Sequence, residues 1–325
     1  MKLPRRKFLH LAAGAAALPT VARNAWAQAY PSRPVRLIVP FAAGGQGDIL
    51  ARLIGQWLSE RLGQPFVIDN RPGAAGNIGT EAVVKSPPDG YTLLLASTTN
   101  TINATLYDKL NFNFIRDIAP VATISRNTHV MAVHPSMPAK TVPEFIAYSK
   151  ANPGKINMAS AGSGSTSHVI GELFKMMTGV NLVHVPYRGA GPALVDLLAG
   201  VVQVYFSPTP PAIEYIKARK LRALAVTTAL RSEALPDIPT VGEFVPGYEA
   251  SGWSGIGSPK STLTEVIDKL NREINTALAD PKFKAQLANL GGDVLALSPA
   301  DFGKLIADET EKWGKLIRTL SIKAD

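Results

Sequence analysis

The feature that most constrains this chain is a repeated order beginning at Val35: a short apolar run, a glycine-rich loop, then apolar residues at helical spacing. Residues 35–40 read as a buried strand. After the glycines, residues 48–62 place Ile49, Leu50, Leu53, Ile54, Trp57 and Leu58 at the three-to-four spacing of an amphipathic helix. The order recurs with a strand over 65–69, a second glycine loop over 73–79 that runs into a helix through Lys85, and a strand over 91–96. Strands that alternate with helices are joined by crossovers, which predicts a mostly parallel sheet covered by helices on both faces.

A second series follows. Residues 129–135 read as a strand, 143–150 as a helix, 156–159 as a strand, 168–177 as a helix, 182–185 as a strand, 192–198 as a helix, and 201–206 and 222–227 as strands. Residues 235–247 are rich in Pro and Gly and lack a period. The last third reads as three helices, 263–278, 281–290 and 299–320, with no strand long enough for a further sheet. The expected architecture is α/β with two lobes: residues 30–128 plus 251–325 form a discontinuous first lobe, 129–250 an inserted second lobe, and the chain crosses near Thr128 and Ser251. About 300 residues at 46% apolar content suffice for two cores of ordinary size.

Residues 1–29 differ from the rest. Lys2, Arg5, Arg6 and Lys7 precede an apolar run from Phe8 to Leu18, and small residues follow, with A-x-A sequences ending at Ala27 and Ala29. This is an export signal of the twin-arginine type, too short to span a bilayer. Cleavage after Ala27 removes Lys2, Arg5, Arg6, Lys7 and Arg23 and no acid, lowering the net charge from +9 to +4. No basic run remains, which argues against nucleic acid as a partner. The chain has no cysteine, so the compartment is argued from the signal and not from disulfides.

Two loops carry candidate chemistry. Phe41-Ala42-Ala43-Gly44-Gly45-Gln46-Gly47-Asp48 lies between a strand and a helix, with Asp48 expected as the N-cap. Gly162-Ser163-Gly164-Ser165-Thr166-Ser167-His168 leads into the next such helix. Glycines let backbone N–H groups approach a ligand, and a helix start adds partial positive charge, so both loops suit an anion. At the carboxyl ends of strands, one per lobe, they would meet across a cleft.

Catalytic patterns are weak. Gly252-Trp253-Ser254-Gly255 misses the nucleophile-elbow spacing by one residue. The histidines after the signal, His129, His134, His168 and His184, lack metal-ligand spacing on a helix. No catalytic residue, metal or cofactor is assigned. A secreted serine hydrolase using Ser165 and His168 stands as the alternative, beside a receptor that presents its ligand to a sensor.

Taken together, several segments resemble the tripartite tricarboxylate transporter receptors of the Bug family over nearly the whole mature chain. They are Pro40-Phe41 to Asp48 with Ala51-Arg52; Asn70-Arg71-Pro72-Gly73-Ala74-Ala75-Gly76-Asn77-Ile78-Gly79; Pro88-Asp89-Gly90-Tyr91-Thr92-Leu93; His184-Val185-Pro186-Tyr187-Arg188-Gly189; and Leu221-Arg222-Ala223-Leu224-Ala225-Val226 followed by Pro236-Asp237-Ile238-Pro239-Thr240.

The resemblance implies a type II periplasmic-binding-protein (Venus flytrap) fold with two hinge crossings. It also implies a periplasmic, monomeric receptor that delivers a small organic acid to small and large permease subunits. The ligand contacts it implies are Phe41, Ala43, Gly44, Gly45 and Asp48; Ala74, Ala75 and Gly76; Ser97; Ser163, Ser165, Thr166 and His168; Tyr187 and Gly189; and Ser207. Ser207 stands where many relatives carry an acid able to meet a ligand amine, which turns the expectation toward acids without an amine. Ala75 replaces a frequent glycine and is expected to narrow the second cradle.

Overall fold

The computed structural model describes residues 30–107, 109–320 and 322, so the segment expected to be an export signal lies outside the described residues. Two mixed sheets flanked by helices carry the fold. The first opens with β1 (Val35–Val39), α1 (Gln46–Leu62), β2 (Phe66–Asn70), α2 (Asn77–Val84), β3 (Thr92–Ser97) and α3 (Thr98–Leu106). In β1, Val35, Leu37, Ile38 and Val39 are fully buried, each worth about 1.5–3 kcal/mol. Helix α1 buries Leu50, Ala51, Ile54 and Leu58 on one stripe, and Gly63 ends it in the left-handed conformation with its N–H on Ser59 O.

A short helix, α4 (Phe114–Asp117), precedes β4 (Ile118–Asn127); one residue later the chain continues as β5 (His129–Val133) in the second sheet. That sheet is completed by α5 (Val142–Ala151), β6 (Asn157–Ser160), α6 (Thr166–Thr178), β7 (Val183–Pro186), α7 (Ala190–Leu198), β8 (Val204–Pro208), α8 (Thr209–Lys217) and β9 (Arg222–Val226). The chain then returns through β10 (Gly252–Pro259), α9 (Thr264–Ala279), α10 (Pro281–Asn289), β11 (Gly292–Val294) and α11 (Pro299–Leu320). The strand orders are β11-β4-β10-β3-β1-β2 and β7-β6-β8-β5-β9.

The expectation of mostly parallel sheets is corrected. Strand β1 runs parallel to β2 and β3, and β6 to β7 and β8, but β10 is antiparallel to both β3 and β4, and β5 to both β8 and β9. The reason lies in the connection: β4 leads out of the first sheet and β10 leads back, so two neighbours must point in opposite directions. The last third therefore does contribute strands, and β10 is a central one.

One core lies on a face of the second sheet, where Phe145, Phe174, Phe206 and Tyr248 pack with Trp313 and Ile317 of α11. Another covers the opposite face through α7 and α8, and a third joins β3 to Trp253 and Phe302. Among the described residues no helix is long and apolar enough to cross a membrane.

Candidate ligand-binding site

Helices α1, α3, α6 and α8 each follow a strand, β1, β3, β6 and β8 in turn, and α7 follows β7, so their amino ends gather at the strands' carboxyl edges. Five of these ends line one cavity of about 60 Å³: Gly45, Gln46 and Gly47 of α1; Ser97 and Thr99 of α3; Ser165, Thr166 and Ser167 of α6; Ala190 of α7; and Pro208 of α8. Phe41, Leu95, Asn127, His129, Ala161, Gly252, Trp253 and Ser254 complete its wall. Each helix end carries roughly half a positive charge, so the cavity is electropositive without a charged side chain. Its only titratable lining group is His129, 2% exposed, whose imidazole burial pushes down to about 4 and so holds neutral.

A second cavity of about 250 Å³ shares Phe41 and Ala161 with the first. It is lined by Gly73, Ala74, Ala75, Gly76, Tyr107, Gly162, Ser163, Pro186, Tyr187 and Arg188. Ala74 and Ala75 both take positive φ, 45° and 47°, which costs an L-residue about 1–2 kcal/mol each. Asn103 Nδ2 helps hold the loop by donating to Ala75 O at 3.0 Å and to Asn77 Oδ1 at 3.0 Å. Tyr187 donates to Asp196 Oδ2 at 2.6 Å; burial first, and then this carboxylate, raise its phenol to about 12.

Segments carried by the two sheets touch directly between these cavities. Thr99 and Thr166 hydroxyls lie 3.2 Å apart, Thr166 N donates to Thr99 Oγ1 at 3.3 Å, Ala42 N donates to Arg188 O at 3.3 Å, and Tyr107 OH donates to Ser163 O at 2.9 Å. A Cβ on Gly189 would lie 3.0 Å from Ala42 N, and one on Gly191 2.8 Å from Ala43 O. The arrangement is a closed one.

Of the residues expected from sequence, Phe41, Gly45, Ser97, Ser165 and Thr166 line the smaller cavity, and Phe41, Ala74, Ala75, Gly76, Ser163 and Tyr187 line the larger. Ala43, Gly44, Asp48, His168, Gly189 and Ser207 line neither. The N-cap of α1 is Gly45 and not Asp48, because Gln46 and Gly47 already belong to the helix. From the first turn the Asp48 carboxylate reaches back to Gly44 N (3.0 Å) and pairs with Arg52 at 3.0–3.1 Å. Burial alone raises its pKa, but the Arg52 and Gly44 hydrogen bonds and the Arg52 charge outweigh it and hold the carboxyl below 3.8.

His168 Nδ1 accepts from Gly164 N at 3.0 Å, and its ring stacks on His184 at 3.8 Å. Ser207 is buried and donates to the carbonyl of Pro208, the neighbour that does face the cavity. Sequence reasoning missed Thr99, Asn127, His129, Gly252 and Ser254. For Asn127, His129, Gly252 and Ser254 the usable signal was their position beside the expected crossings at Thr128 and Ser251; Thr99 had none.

Comparisons with known proteins agree with this arrangement. Residues 50–322 match the family described as TctC, tripartite tricarboxylate transporter family receptor. Protein BugT of Bordetella pertussis is 37% identical over 300 residues, 91% of this chain and 92% of BugT. The structure of R. palustris Rpa4515 with adipate superposes with a TM-score of 0.89 at 37% identity, covering 91% of this chain and all of that one. MatC from Rhodopseudomonas palustris with bound malate superposes with a TM-score of 0.85 at 30% identity, covering 89% and 100%. The chain belongs to the tripartite tricarboxylate transporter receptors of the Bug family and has their two-lobed periplasmic-binding-protein fold.

Proposed function

We propose that this chain is an exported, monomeric receptor that captures a small organic carboxylate between its two lobes and hands it to the small and large membrane subunits of a tripartite transporter. The carrying observation is the convergence of five helix amino ends on a cavity with no charged side chain. Fixed N–H dipoles and hydroxyls suit a carboxylate, whereas a ligand ammonium finds no carboxylate in the cavity wall. Adipate and malate in the two related structures support the same ligand class. A ligand that touches both lobes would stabilise these closed contacts. Periplasmic placement rests on the signal-like first 29 residues together with the family.

Binding is favoured over the hydrolase alternative by one observation. Ser165 Oγ accepts from His168 N and shares a hydrogen bond with Ser167 Oγ, while His168 Nδ1 is taken by Gly164 N. Calorimetry of the mature, ligand-stripped protein against mono-, di- and tricarboxylates tests the reading. Micromolar or tighter binding of at least one acid is expected; a flat response to the whole panel overturns it.

A further inference from the structure

His129 is the first residue of β5, reached one residue after β4 ends, and it sits beside the returning strand: a Cβ on Gly252 would lie 3.5 Å from His129 Cε1 and 3.5 Å from Thr166 Cγ2. Its imidazole lines the five-helix cavity and is 2% exposed; the ring interacts with the Asn127 backbone, and its Nδ1 has no side-chain hydrogen-bond partner. A buried polar atom left unpaired costs about 1–3 kcal/mol, a cost that a structural histidine avoids by finding a partner. Gln46 Nε2, Ser97 Oγ and Trp253 Nε1 of the same cavity wall are likewise buried without a partner, whereas Asn127 and Thr99 are committed. Asn127 Nδ2 donates to Ser254 Oγ at 2.8 Å, Asn127 Oδ1 accepts from Ser125 at 2.6 Å, and Thr99 is shared with Thr166.

We infer that His129 is a specificity-determining ligand contact, a neutral hydrogen-bonding group at the crossing that engages the acid head group inside the five-helix cavity. The inference rests on the carboxylate reading above and assigns it a residue. The contact gives the imidazole at the junction of the lobes a partner beyond the Asn127 backbone, namely the cargo. It also ties occupancy to closure. The ring belongs to β5, while α1 and α3 reach the cavity from the first sheet, so a ligand held by both touches each side. With the ring neutral, as burial dictates, the contact adds a directed hydrogen bond without a charge.

The test is calorimetry of adipate and malate with the wild-type protein, His129→Leu and His129→Gln, alongside ligand-free thermal melts. His129→Leu should weaken whichever acid binds the wild type by about ten- to a hundredfold while leaving the ligand-free melt unchanged or higher, because an unpaired polar group has gone. His129→Gln, which keeps a donor and an acceptor, should restore most of the affinity. A His129→Leu protein that binds as tightly as wild type overturns the inference and leaves the carboxylate reading standing. A wild type that binds no carboxylate overturns both. Should His129→Leu fail to fold, ring-nitrogen NMR of the wild type decides: addition of the acid must shift the His129 resonances, and unmoved resonances overturn the assignment.

Discussion

The two glycine loops that face each other deliver helix amino ends to the same cavity by different means. Residues 41–48 are braced by charge: the buried Asp48 carboxylate bridges Gly44 N and the half-exposed Arg52 guanidinium. Residues 162–168 are braced by neutral groups, with Ser165 Oγ accepting from His168 N, Ser167 Oγ from Ala161 N, and His168 Nδ1 from Gly164 N, all within the buried interior. The difference follows the solvent. An ion pair is tolerable where one partner keeps its water, and neutral hydrogen bonds replace it where neither would.

The sharpest way to break the pairing of the loops is to stop them from meeting. Gly191→Ala should reduce carboxylate affinity about a hundredfold, near 2.8 kcal/mol, because its Cβ would lie 2.8 Å from Ala43 O. The ligand-free protein should melt no lower, since alanine favours the helix. Calorimetry and thermal melts read both, and intact affinity would mean that this approach is not part of the binding-competent state.

The neutral brace should be the more costly to damage. His168→Phe orphans the buried Gly164 N–H and should lower unfolding free energy by about 2–3 kcal/mol in denaturant titrations. Asp48→Asn should cost less, about 1 kcal/mol at pH 7, because Arg52 is left facing water. Its sign with pH is fixed. Asp48 is more acidic folded than unfolded, so its contribution is complete above 3.8 and fades as pH falls through the lower folded value. Asp48→Asn should therefore flatten the acid side of the stability curve, and an unchanged slope would remove the carboxylate from the brace. The smallest effect is expected for Thr99→Val, which deletes the long bonds of the Thr99 hydroxyl to Thr166 Oγ1 and Thr166 N; a few-fold weaker affinity by calorimetry corresponds to about 1 kcal/mol.

Much of this was legible in the sequence, because strands β1 to β3 and β5 to β9 and helices α1, α2, α5 to α7 and α9 to α11 obey the ordinary periods, whereas α3, α4, β4, α8, β10 and β11 are assigned no element from sequence. The exceptions share a cause. Strand β10, Gly-Trp-Ser-Gly-Ile-Gly-Ser-Pro, has no strand-like alternation, yet all eight residues are buried. Its glycines serve space and not turning: a Cβ on Gly255 would lie 2.6 Å from Ala122 O, and one on Gly257 2.6 Å from Ile118 Cγ2. Helix α3 shows no apolar stripe because its buried side is polar. Thr98, Asn100, Thr101 and Asn103 are buried there, with Asn100 donating to Thr80 at 2.9 Å. The loops 41–48 and 162–168 were found through glycine and hydroxyl content, and Ala74, Ala75, Gly76, Ser97 and Tyr187 through the family resemblance. His129 and Asn127 were not, since a buried polar residue at a strand end carries no period and is defined only by what the fold brings opposite it.

The fixed helix dipoles have a consequence for how the protein meets its surroundings. A binding site that relied on lysine or aspartate would answer to acidity itself. Here the only titratable group in the cavity wall stays neutral until pH falls to about 4, and backbone N–H groups do not titrate at all. Above that point this cavity wall holds no side chain that gains a proton. On the carboxylate reading, the group left to answer to pH in this cavity is the cargo's own carboxyl.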